Sequence, residues 1–241
     1  MVAGDLTTMA LLIFDCDGVL VDSEYLFARV ASACLSEIGI EMNSAEAARR
    51  FAGVSIKDML ARIALERGAA LPHGFENLVI RREDEAYARL LEPISGVREA
   101  ILSVPLPRCV ASSSLPERIF ASLAVTKLDD LFAENARFST ALVAKGKPAP
   151  DIFLHAARQM GERPRSCVVI EDSVPGVQGA VAAGMRVIGF IGGRHCTHDH
   201  GKRLEAAGAH RVIAAMADLH DAVKGLTSPT GLHRGRAPSP S

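Results

Sequence analysis

A chain of 241 residues, 49% of them hydrophobic, is long enough to bury one substantial core and to carry an inserted subdomain. It has no tryptophan and only 5% aromatics, so that core must be built from Leu, Ile, Val and Ala. A formal net charge of −1 lacks the basic footprint of a nucleic-acid binder, which excludes a DNA- or RNA-binding module as the leading class.

The opening MVAGDLTTMA has no basic segment followed by an apolar one and does not read as a signal peptide. Residues 11–14 (LLIF) are a short apolar run closed by Gly18, the pattern of a buried strand. From residue 24 to 38 the period turns helical, with Leu26, Phe27, Val30, Cys34 and Ile38 on one face. Asp22 or Ser23 is the expected N-cap and Gly39 the stop. A helix opened by Asn43 or Ser44 and ended by Gly53 follows. Ser55 and Asp58 then form a capping box for a helix running to about residue 67. Residues 75–91 make another helix, with Pro93 beyond it.

After this all-helical stretch, strands and helices alternate. Strands are predicted at 108–111, 137–139, 167–170, 186–190 and 211–213. Helices are predicted at 97–102, 116–123, 151–160, 174–183 and 216–224. Such alternation implies an α/β fold, a doubly wound parallel sheet covered on both faces. The domain division that follows is an α/β core over residues 1–23 and 93–226 and an inserted helical unit over 24–92. The tail 227–241, rich in Pro and Ser without apolar periodicity, reads as disordered. The five cysteines (Cys16, Cys34, Cys109, Cys167 and Cys196) are odd in number and lack CxxC spacing. They read as reduced thiols of a cytoplasmic protein. No segment reads as a membrane span.

In open parallel sheets, ligands bind beyond the carboxyl ends of the strands. Asp15, Asp17, Ser112, Glu171 and Asp172 all fall at or just past predicted strand ends, hence on one rim. Clustered carboxylates repel unless a cation sits among them, and an all-oxygen set suits Mg²⁺. Ser112 and Lys147 then offer a hydroxyl and an ammonium to phosphate oxygens, and Gly18 allows close backbone approach. Cys16, between the two aspartates, should turn away into the core.

The segments DCDGVLVD, VASSS, KGKPAPD and EDSVPG resemble, in order, the four motifs of the haloacid dehalogenase superfamily, in particular its small sugar phosphatases and β-phosphoglucomutases. The resemblance covers roughly residues 10–225 and implies a Rossmann-like core with an inserted helical cap. It implies Asp15 as the nucleophile that becomes an aspartyl-phosphate and Asp17 as the general acid and then base. Mg²⁺ would be held by Asp15, Asp172 and the carbonyl of Asp17, with Glu171 as a further ligand, directly or through water. Ser112 and Lys147 would bind the transferring phosphoryl group.

Competing readings are kept beside this one. Asp15 and Asp17 could cap a turn, and one of Ser112, Ser113 and Ser114 could cap the next helix. Lys145 reads as a surface lysine. No GxSxG elbow or P-loop spacing is present. The run GGRHCTHDH invites a metal site from His195, Cys196, His198 and His200, but so tight a spacing favours a solvated loop near the rim.

Closure of the cap would expel water, placing specificity on the cap. Arg50 and Lys57 are the specificity candidates there. β-Phosphoglucomutases carry an arginine just after the GVS step, where this chain has Ile56 and then Lys57. A phosphatase acting on a small sugar or sugar-acid phosphate, such as 6-phosphogluconate, is therefore favoured over a phosphomutase. A non-enzymatic phospho-aspartate signalling or binding protein is the reading from another class. The expected partner is a small-molecule phosphate ester, with no nucleic acid or membrane, in a monomer or small homo-oligomer.

Overall fold

The structure, a computed structural model, describes residues 9–51 and 54–227. Six strands form one parallel sheet: β1 (Leu11–Phe14), β2 (Arg108–Ser112), β3 (Arg137–Ser139), β4 (Cys167–Glu171), β5 (Arg186–Phe190) and β6 (Arg211–Ile213). Their spatial order is β3–β2–β1–β4–β5–β6. The order reverses between β1 and β4, where Phe14 pairs with Ile170, so the crevice of a doubly wound sheet opens beyond those two strands. The predicted strands are all present, within a residue at each end.

Every residue of β1 is fully buried because both sheet faces are covered. Alternation sends Leu12 and Phe14 to one side and Leu11 and Ile13 to the other. The first side packs on helices α5 (Val97–Ser103), α6 (Pro116–Val125) and α10 (Leu219–Thr227), the second on α7 (Asp151–Gln159), α8 (Val174–Ala182) and α9 (His200–Ala207). Cys16 joins the first cluster, as alternation requires.

Between β1 and α5 the chain is helical: α1 (Ser23–Glu37), α2 (Ser44–Phe51), α3 (Ile56–Arg67) and α4 (Phe75–Leu90). These four build their own apolar cluster, including Phe27, Leu35, Phe51, Met59, Phe75 and Val79, separate from the two beside the sheet. Ser55 caps α3, with Asp58 N–H donating to Ser55 Oγ at 3.1 Å, but the Asp58 carboxylate accepts from that hydroxyl at 2.7 Å in place of the backbone N–H of a capping box.

Several expectations need correction. Asp22 occupies the N-cap of α1 but makes no capping bond; its Oδ2 accepts instead from Arg194. No serine caps α6, whose N-cap is Leu115; Pro116 at the first helical position already lacks the N–H a cap would satisfy. The segment expected to be a solvated loop turns into α9 at His200, and His195 and His200 are both buried. Only His200 and Leu204 of α9 are buried, so the helix shows no apolar stripe for sequence to reveal. The helix expected at 216–224 is a short 3₁₀ turn, Met216–Asp218, leading into α10. Gly53 and the tail beyond residue 227 lie outside the described residues.

Candidate active site

Asp15 and Asp17 lie just past β1, with Asp15 and Asp172 almost fully buried and Glu171 wholly so. One carboxylate oxygen from each of Asp15, Glu171 and Asp172 lies within 4.8 Å of the others. Burial first, then the charges of Glu171, Asp172 and Asp17, push Asp15 well above the ordinary carboxylate range, with Lys147 opposing them. Lys147 is the single ammonium threaded into this group. Its Nζ donates to Asp15 Oδ1 and Glu171 Oε1, both at 2.6 Å, and to the Ala111 carbonyl at 3.1 Å. Its side chain is only 5% exposed, while Lys145 is exposed, as expected. Burial alone would depress the Lys147 ammonium, but its two carboxylate partners outweigh that and raise it.

One lysine cannot neutralise three buried carboxylates, and the remaining negative charge is what a hard divalent cation would balance. The donors are all oxygen, and Asp172 has room only because residue 18 is glycine. Gly18 has φ +79°, and a Cβ there would overlap Asp172 Oδ2. The residues present therefore fit a divalent cation. Glu171 is more occupied than the others: its second oxygen accepts from Ser173 N and Oγ, both at 2.9 Å, and its first holds Lys147.

The serine loop after β2 faces Asp17. Ser114 Oγ donates to Asp17 Oδ2 at 2.6 Å and Ser112 Oγ to the same oxygen at 3.5 Å, while Ser114 N–H donates to Ser112 Oγ at 3.0 Å. The structure thus brings together Asp15, Asp17, Gly18, Ser112, Lys147, Glu171 and Asp172 from four separate stretches of chain.

It does not bring Arg50 or Lys57 to them. Arg50 is tied to Glu46 and Glu66 on the outside of the insertion, and Lys57 is exposed. The cleft of about 680 Å³ beside the site is lined from the insertion by Glu24, Phe27, Val54, Ser55, Ile56, Glu83 and Tyr87. Arg118, on α6 just after the serine loop, reaches across to α4. It pairs with Glu83 at 2.6 Å and Asp84 at 3.5 Å, with its guanidinium 3.6 Å from the Tyr87 ring centre. Glu83 and Tyr87 sit four apart on one helix face, which is the signal that could have found them.

Sequence reasoning also missed the support of Asp172. His195 Nε2–H donates to Asp172 Oδ2 at 2.9 Å, and His200 Nε2–H to the Asp172 carbonyl at 2.5 Å. Burial would depress His195, but Asp172 and Cys196 outweigh it and push its pKa up to about 11. Arg194, next in chain, donates to Asp22 and to Glu92 and lies 4.2 Å from the Tyr25 ring centre, fastening the two linkers of the insertion to this loop.

Comparison with known proteins agrees with this geometry. Residues 9–184 match the family described as haloacid dehalogenase-like hydrolase. The chain is 32% identical over 186 residues to 6-phosphogluconate phosphatase of Escherichia coli K12, covering 76% of this chain and 82% of that protein. A haloacid dehalogenase-like protein of unknown function from Agrobacterium tumefaciens C58 superposes with a TM-score of 0.85 at 40% identity, covering 91% of this chain and 100% of that one. A family hydrolase from Deinococcus radiodurans R1, solved with bound phosphate and sodium, superposes with a TM-score of 0.82 at 33% identity, covering 91% and 96%. The chain belongs to the haloacid dehalogenase-like hydrolases, as an enzyme of their phosphatase branch.

Proposed function

We propose that this enzyme is a Mg²⁺-dependent phosphatase of a small phosphorylated sugar or sugar acid, such as 6-phosphogluconate, working through an aspartyl-phosphate. The observation that carries the reading is Lys147 Nζ at 2.6 Å from Asp15 Oδ1, beside Asp172 and above the serine loop. A buried carboxylate held against a fixed positive charge on the wall of the cleft supports that reading. The helices of residues 24–92 form a cap on the core of residues 1–23 and 93–226, supported by their separate apolar cluster.

Asp15 attacks phosphorus, forming the Asp15–phosphorus bond as the ester bond breaks. Asp17 gives its proton to the departing alkoxide. Asp17 then takes a proton from water as the water attacks the aspartyl-phosphate, and phosphate leaves with Asp15 restored. An anionic nucleophile approaching an anionic phosphate faces roughly 4 kcal/mol per unit pair at about 4 Å and an effective dielectric near 20. Lys147 offsets part of this, and Ser112 and Ser114 orient the phosphoryl oxygens and the Asp17 carboxyl. Asp15, Asp172 and the Asp17 carbonyl, with Glu171 behind them, would hold Mg²⁺, which supplies further charge neutralisation. Arg203 on the cleft wall suits a leaving group that carries a carboxylate.

The test is a panel of phosphorylated metabolites, 6-phosphogluconate among them, assayed with Mg²⁺ beside Asp15→Asn. Phosphate release by the wild type alone supports the reading; release by neither overturns it. Conversion of β-glucose 1-phosphate to the 6-phosphate would instead favour a phosphomutase, although Val54, Ser55 and Ile56 line the cleft where such an enzyme needs a second phosphate clamp.

A further inference from the structure

We propose that His195, Cys196 and His200 form a second metal site, selective for a soft or borderline divalent ion such as Zn²⁺ and bordering Asp172 of the catalytic rim. Ligand atoms of the three residues lie within 4.8 Å of one another, and both histidines are buried. The donors differ in kind from the all-oxygen cluster next door: two imidazoles and a thiol select zinc over magnesium.

The spacing is that of a coordination shell. Zn–N bonds of about 2.0 Å and Zn–S bonds of about 2.3 Å put tetrahedral nitrogen and sulfur about 3.5 Å apart. His195 Nε2 and Cys196 Sγ are 3.5 Å apart. Asp172 Oδ2 lies 2.9 Å from the same nitrogen, so the carboxylate borders both groups. Loading moves three protons. The Cys196 proton and the Nε2 proton of the imidazolium His195 leave to solvent, and His200 shifts its proton from Nε2 to Nδ1. At His195 the proton that stays on Nδ1 costs no hydrogen bond, because that buried nitrogen has no partner among the described residues. At His200 the exposed Arg203, now 3.0 Å from Nδ1, must swing aside.

Because Asp172 borders both groups, zinc here draws that carboxylate away from the phosphoryl site and inhibits turnover. This consequence, unlike the binding itself, rests on the phosphatase reading.

The test uses the full chain stripped of metal and then saturated with Mg²⁺. Titration with Co²⁺ should give a thiolate-to-cobalt charge-transfer band saturating near about one equivalent. Cys196→Ser and Cys196→Ala should lose the band and weaken Zn²⁺ binding by about 10-fold or more. Their Mg²⁺-supported phosphate release should stay near wild type while becoming less sensitive to Zn²⁺ by the same factor. Asp15→Asn should keep the band, which separates this site from the catalytic one. Absence of the band, its persistence without Cys196, or its loss in Asp15→Asn overturns the proposal. A band with no phosphatase activity on any ester would sink the proposed function and leave the metal site standing.

Discussion

Lys147 is held between Asp15 and Glu171 with its ammonium out of water, so in the proposed function it would serve folding and chemistry at once. Lys147→Ala should lower turnover by about 10²-fold or more, as removal of one preorganised donor does elsewhere. It should also cost stability, because breaking a buried ion pair strands its partners at about 3–5 kcal/mol. Added Mg²⁺ should restore more of the melting temperature in this variant than in the wild type, since the cation balances the stranded carboxylates. Kinetics and thermal melts across a Mg²⁺ series measure both. Gly18→Ala tests the neighbouring constraint. A methyl at φ +79° both strains the backbone and overlaps Asp172 Oδ2, so cation affinity and melting temperature should fall together. A variant that keeps wild-type Mg²⁺ affinity would show that Asp172 does not sit where it must to bind the ion. At this scale the sequence was most readable. Asp15, Asp17, Ser112 and Asp172 stand at strand ends, so local pattern already put them on one rim, whereas Lys147 was singled out from Lys145 by the resemblance of KGKPAPD to a family motif. Arg50 misled because a basic residue on a short helix looks the same whether it faces a cleft or, as here, Glu46 and Glu66.

The contact between α4 and α6 shows what a pattern cannot encode. Glu83 and Arg118 are 35 residues apart and meet only because the insertion folds over the serine loop. Burial first, against the opposing charge of Arg118, raises the Glu83 carboxyl above its ordinary value. A carboxyl with a raised folded-state pKa binds protons more readily in the native protein than in the unfolded one. Its stabilising contribution is therefore complete below the unfolded value of about 4.3 and is lost as pH rises through the folded one. Glu83→Gln removes that dependence. On acidification from neutral pH toward about 5, the wild type should gain stability relative to Glu83→Gln, a trend that denaturation midpoints at the two pH values would reveal. An unchanged difference would mean that Glu83 titrates as if unfolded. The strands and most helices were legible from apolar period, but α9 was not, because its inward side is two residues, one of them a histidine.

Across the whole molecule, three apolar clusters divide the labour, two packed on the sheet and one closed within α1–α4. A unit with its own small core and only two chain crossings should open at lower free energy than the sheet. Amide exchange in α2 and α3 should accordingly run faster than in β1 and β4, and equal protection would argue for a single cooperative body. The crossings themselves are cross-braced: Asp22 N–H donates to the Glu92 carbonyl at 3.0 Å, and Arg194 grips both side chains. Arg194→Ala should raise KM more than it lowers kcat if the brace sets how often the cleft closes, a split that steady-state kinetics resolves.

Arg194 is also one peptide unit from the imidazole that steadies Asp172. Should the helices swing as the proposed function requires, a change at Asp22 and Glu92 would pass through Arg194 to the residue that holds Asp172. On that reading, entry of the ester and the setting of the proposed ion-binding carboxylate would be geared through two neighbouring residues of one loop.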